Sequence, residues 1–136
     1  MKILVISAEV WRDDKNGGNV LSNIFGDTGY EFAQIYCNPG NPSNHLCKHY
    51  YQMTDAMMIN SILHRARPGK IINYEEYPCD ENEIAEGKAE QENRSFYDFL
   101  RNHRLELFYV IRSFIWKVAK WGTPQLRKFI EEYEPD

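Results

Sequence analysis

Gly17 and Gly18, followed by Asn19 and an apolar run at helical spacing, are the residues of this chain best suited to meet a phosphate. Glycine lets the backbone approach a ligand closely, and a helix starting beside it offers free N–H groups to an anion. The pattern is not the dinucleotide fingerprint G-x-G-x-x-G, and no Gly-Lys-Ser/Thr follows as in a P-loop. A flexible turn is the other reading of the same two residues. Glu9 and the pair Asp13-Asp14 stand nearby, either as a base or hydroxyl-binding carboxylates or as solvated loop residues. His45, Cys47 and His49 alternate, with Cys37 upstream. Alternate residues of an extended strand share a face, so a metal site is conceivable there. The paired knuckles of structural zinc are missing, however, and no metal site is assigned. Without a G-x-S-x-G elbow or an H-E-x-x-H pair, no catalytic residue can be named from motifs.

A second constellation lies toward the end of the chain. From Arg94 to Lys128 there are eight basic residues against Asp98 and Glu106, a net charge of +6. At 100° per residue Arg101, Arg104 and Arg112 fall opposite the apolar stripe, together with Phe108 and Trp116. Cations mixed with aromatic rings suit an anionic membrane surface or a partner protein. The same mixture arises when a helix is packed on both sides by its own domain. Glu75 to Glu92, by contrast, carries eight carboxylates against Lys88 alone. Lacking an EF-hand pattern, it is expected to be a solvated loop or exposed helix rather than a cation site.

The elements that must position these groups follow from periodicity. Ile3 to Ile6 reads as a strand buried on both faces, and Phe32 to Cys37 as a second. A helix is expected between them, with Val20, Leu21, Ile24 and Phe25 on one face, broken at Gly26 to Gly29. His49 to Met53 is a weaker strand, and Thr54 or Asp55 caps a helix that Pro68-Gly69 ends. Ile71-Ile72 starts another short strand. Phe96, Phe99, Leu100, His103, Leu107, Val110, Ile111, Phe114 and Val118 predict a long amphipathic helix ending near Gly122. Thr123 caps a last helix with Pro124 at its first position and Leu126, Phe129, Ile130 and Tyr133 on one face. Strands alternating with helices predict an α/β fold, a Rossmann-like doubly wound parallel sheet.

The bulk numbers fit one such domain. The 136 residues are 43% hydrophobic and 26% charged, enough for a core and against disorder. A net charge of -4 gives no reason to expect nucleic acid as a partner. No apolar run nears the roughly 20 residues of a bilayer span, and the start lacks the features of a signal peptide. Three cysteines are too few for a disulfide framework. A cytoplasmic domain is expected.

"MKILVIS", a loop with "NGG", then "NVLSNIF" resemble the opening of family 4-type (GT-B) glycosyltransferases. "EFAQIYCNPGNPSN" and the closing "TPQLRKFIEEYEPD" are similar to that family too, whereas Asn44 to Gly122 follows it poorly. The resemblance implies two Rossmann-like domains, the first binding mainly the acceptor and the second holding a nucleotide-sugar donor. It places Gly17, Gly18 and Asn19 against the donor diphosphate, with no cofactor and no required metal. The implied acceptor is a glycan, a polysaccharide or a lipid-linked carrier, met at the inner face of the membrane. The basic segment would then dock on that anionic surface. The chain is expected to be the front piece of a longer protein, cut before its fourth strand and inactive alone. The other expectation is an α/β interaction module that works through its basic-aromatic helix.

Overall fold

The structure is a computed structural model and describes residues 1–13, 19–73 and 106–136. In chain order these form β1 (Lys2–Ser7), α1 (Asn19–Phe25), β2 (Glu31–Tyr36), β3 (Cys47–Gln52), α2 (Asp55–His64) and β4 (Lys70–Asn73). Helices α3 (Glu106–Val118) and α4 (Pro124–Tyr133) follow. The sheet runs β1-β2-β3-β4. β1 and β3 flank β2 in parallel, and β4 is antiparallel to β3.

Alternation along the strands sorts the core into two layers. Ala33, Ile35, Tyr51 and Met53 face one side, where Met58, Ala119, Leu126, Phe129 and Tyr133 cover them. Phe32, Tyr36, Cys47 and Tyr50 face the other, packed with Val10, Trp11 and Ile72. Leu21 and Phe25 of α1 pack against this second cluster. Helices therefore cover both faces of a mostly parallel sheet, a mixed α/β fold.

Local chemistry fixes the helix starts. The Thr54 hydroxyl accepts the Met57 N–H at 3.2 Å, and the Thr123 hydroxyl accepts the Leu126 N–H at 3.2 Å. Each satisfies an N–H that the first helical turn leaves free.

The direction of β4 departs from the all-parallel expectation. Lys70 pairs with Gln52, so the chain re-enters the sheet at the end where β3 left it. Helix α2 ends at Arg65 in the left-handed region (φ 53), and the chain turns back instead of crossing over. Gly69 is needed on the way in, since a Cβ there would stand 2.4 Å from the Tyr51 ring. The result is an antiparallel edge strand on an otherwise parallel sheet.

At the other edge, the backbone of Lys2 is met by the end of the chain. The Asp136 N–H donates to the Lys2 carbonyl at 3.0 Å, and the Lys2 N–H donates to the Asp136 carboxylate at 2.6 Å. The Glu31 N–H donates to the Met1 carbonyl on the β2 side. By the two-residue period, Leu4 and Ile6 aim their N–H and C=O groups at the same outer edge as Lys2.

Helix α3 sits differently from its expected orientation. Val110, Phe114 and Val118, three members of the apolar stripe, are exposed at 65%, 65% and 46%. Ile115, Trp116 and Ala119 turn inward to the first core layer. The part of the expected long helix before Glu106 lies outside the described residues, as does the acidic stretch.

Candidate functional site at the carboxyl end of the sheet

Open α/β sheets bind ligands beyond the carboxyl ends of their strands. Here that end carries the loop after β1, the loop after β2 and the start of α2. The first loop is held by buried polar side chains. Gln34, fully buried on β2, accepts the Trp11 N–H at 2.9 Å and donates to Ser7 Oγ at 2.7 Å and to the Glu9 carbonyl at 3.0 Å. Every hydrogen-bonding direction the amide needs is used, which is what allows it to be buried. Asn44 donates to the Trp11 carbonyl at 3.1 Å, and its own carbonyl accepts the Leu46 and Cys47 N–H groups at 2.9 and 2.8 Å. The Asp13 N–H donates to the Ser43 carbonyl at 2.7 Å, which ties the two loops together.

The Trp11 side chain completes this anchor. Its ring lies 5.3 Å from Phe32 and 6.2 Å from Phe25, and its indole N–H donates to Ser22 Oγ at 2.7 Å. Ser22 in turn donates to the Asp13 carboxylate, whose other oxygen stands 3.2 Å from His45 Nδ1. Serine, carboxylate and imidazole therefore meet, but in the wrong order for nucleophilic catalysis. Activating a serine needs the imidazole beside the hydroxyl, whereas here the carboxylate stands between them. The trio is a clasp between the loop and α1. Glu9 accepts a hydrogen bond from Asn38 Nδ2 at 2.6 Å, which places a carboxylate on the rim where a hydroxyl-bearing ligand could meet it.

The chain thus enters the glycine loop from an anchored Asp13, and α1 begins at Asn19. Gly17 and Gly18 themselves lie outside the described residues, and of Asn19 only its place at the helix start is given.

The His45, Cys47 and His49 set does not converge. The β2–β3 register shifts between Phe32 and Ala33, whose partners are Cys47 and His49. A bulge there cancels the alternation that would have put both residues on one face. Cys47 points into the second core layer, while the His49 ring lies 5.7 Å from the Tyr133 ring. Among the described residues no group of three or more His, Cys, Asp or Glu side chains could hold a metal ion.

Burial pushes the Cys47 thiol from 9.0 up to about 12, against weaker opposing contributions of its hydrogen bonds with Tyr50 and the His49 backbone. The folded chain then holds this proton more tightly than the unfolded chain. The stability this confers is complete below pH 9 and is lost as pH rises toward 12. Between pH 8 and about pH 10.5 the expected loss from this group is about 2 kcal/mol. Urea unfolding at both pH values checks it, with Cys47→Ala losing correspondingly less; an unchanged pH slope in that variant would refute the assignment. Tyr133, also raised to about 12 chiefly by burial, titrates in the same direction in both proteins.

The third loop contributes a charged clasp. Asp55, the first residue of α2, accepts Arg112 Nε at 3.1 and 2.9 Å and the Trp116 indole N–H at 2.5 Å. Two residues of the expected membrane or partner surface of Arg101, Arg104, Phe108, Arg112 and Trp116 are engaged in this clasp. Arg112 and Trp116 grip the domain's own α2 because a carboxylate attracts both donors inward. Arg101 and Arg104 lie outside the described residues, and Phe108 is given only its place in α3.

No helix among the described residues is long and apolar enough to cross a membrane. Comparison with protein-family models, with curated proteins and with solved structures yields no match to this chain. The chemistry of the site itself is therefore the guide to its class.

Proposed function

We propose that this chain is the acceptor-side, Rossmann-like N-terminal part of a GT-B-type glycosyltransferase, which moves a sugar from a nucleotide donor to a glycan, polysaccharide or lipid-linked acceptor. The observation that carries the reading is the anchoring of the loop after β1. A buried glutamine, a buried asparagine and a buried tryptophan fix it up to Asp13, five residues before Gly18 and at the ligand-binding end of the sheet. An anchored entry to a glycine segment lowers the reorganisation needed to present main-chain N–H groups to a diphosphate leaving group. Donor carboxylates and a second domain belong to the expected remainder of the protein.

The test is release of a nucleoside diphosphate from nucleotide sugars by the native gene product, with polysaccharide and polyprenyl-linked acceptors offered in turn. Acceptor-dependent release supports the reading. None with any donor and acceptor pair would overturn it.

An interaction module is the second reading, favoured by one observation: the outward apolar face of α3, with Val110, Phe114 and Val118.

A further inference from the structure

The geometry points to Arg112 as an anion-binding residue, whose guanidinium is aimed by Asp55 and offers its two terminal amino groups to a diphosphate at the carboxyl end of the sheet. Three observations support this. The first is position. Asp55 follows the carboxyl end of β3 by way of Met53 and Thr54, and Arg112 is held against it. Cys37, just past the end of β2, lies close enough to feel both charges: burial raises its thiol, Arg112 opposes the rise and Asp55 adds to it. The N–H groups of Cys37 and Asn38 donate to the Ala8 carbonyl at 3.2 and 2.9 Å, so Arg112 shares this end of the sheet with the loop after β1.

The second observation is orientation. An arginine paired end-on with a carboxylate spends its terminal nitrogens on the pair. Here Nε alone spans both Asp55 oxygens, at 3.1 and 2.9 Å, and the Trp116 indole adds a third donor to the same carboxylate. Among the described residues no acceptor meets either Nη. The third is accessibility, since the Arg112 side chain is 39% exposed while Asp55 is 23% exposed. A planar fork that is held at its base, open at its tip and weakly hydrated matches two oxygens of a phosphate. A tether between α2 and α3 explains the Nε contact but gives no use to the two terminal amino groups.

The choice of diphosphate rests on the glycosyltransferase reading; the placement of Arg112 does not. Two sources could supply that group, the nucleotide of the donor and the phosphorylated end of a lipid-linked acceptor. The test uses isotope-labelled residues 1–136 and inorganic pyrophosphate at constant ionic strength, following the Trp116 indole and Arg112 Nε–H signals. The expected result is a saturable shift of both signals. It should weaken at least ~10-fold in Arg112→Gln and clearly in Arg112→Lys, which keeps the charge but loses the fork. Lys117→Gln, an exposed cation on the same helix, should change it less than ~2-fold.

No saturable shift, or an equal loss with Lys117→Gln, would overturn the assignment. Tighter binding of uridine diphosphate than of geranyl diphosphate would assign the site to the donor, and the reverse order to the acceptor. A failed titration beside intact sugar transfer would remove Arg112 and leave the enzyme reading standing.

Discussion

On the proposed glycosyltransferase reading, replacing Gly18 by valine is expected to lower kcat/KM for sugar transfer by the native gene product at least ~100-fold, while leaving its melting temperature nearly unchanged. The reasoning starts from what holds the loop. Trp11 is fully buried, and Asp13 is tied to Ser43 and Ser22, so the chain enters the glycine segment from a fixed point. It leaves into α1, whose Leu21 and Phe25 are packed against the core. Valine's branched side chain restricts the backbone where glycine leaves it free. It would occupy the space that close approach of a diphosphate requires. Displacing a reacting group by about 1 Å is enough for a loss of this size. A glycine contributes no side chain to a core, so the fold should survive the change. Steady-state kinetics with thermal melting separate the two effects. Normal turnover in the valine variant would end the glycine-loop assignment, and a collapsed melt would transfer the role of Gly18 to folding.

Much of the architecture is legible in the sequence wherever the determining forces are local. The apolar runs at Ile3 and Phe32 become β1 and β2 within a residue of their expected bounds. Thr123 followed by Pro124 caps a helix as cap chemistry dictates, and Thr54 does the same for α2. What resists reading is set by distant partners. Nothing in Lys70 to Asn73 announces that this strand runs antiparallel; that follows from where α2 returns the chain. The alternation of His45, Cys47 and His49 is real in the sequence, but a bulge against β2 cancels it in space.

Helix α3 is the most instructive departure. Its periodicity correctly marks a helix with an apolar stripe, yet periodicity does not say which face meets the domain. The carboxylate of Asp55, 57 residues earlier in the chain, draws Arg112 and Trp116 inward and leaves Val110 and Phe114 outside. The candidate site divides the same way. Glycines, carboxylates and histidines draw the eye in a sequence, whereas Gln34 within an apolar strand reads only as an interruption. One signal was available: a glutamine between Ala33 and Ile35, in a strand covered on both faces, must find partners for its whole amide.

That glutamine carries the other large expected effect. Gln34→Leu keeps nearly the same size and adds apolar surface, so a purely hydrophobic view of the core predicts little change or a gain. The hydrogen-bond pattern predicts the opposite. Removing the amide leaves the buried Trp11 N–H without its acceptor and Ser7 Oγ without the amide donor, and takes one of two donors from the Glu9 carbonyl, which keeps the Ser7 hydroxyl. An orphaned buried group costs about 1–3 kcal/mol, whereas the bond itself contributes about 1 kcal/mol net. Ser7 and Glu9 lie near solvent and can recover water as a partner; the Trp11 N–H cannot. The expected loss is therefore about 3 kcal/mol, a large share of the roughly 5–15 kcal/mol that holds a domain together. Urea unfolding should show a lower midpoint with an unchanged slope. Gln34→Glu should be worse still at neutral pH, since it buries a charge and loses the amide donor. A loss below about 1 kcal/mol in the leucine variant would mean that Asn44 and the Trp11 ring hold the loop without help. The glutamine would then be a tolerated passenger, and the loop's anchorage would rest on packing instead of polarity.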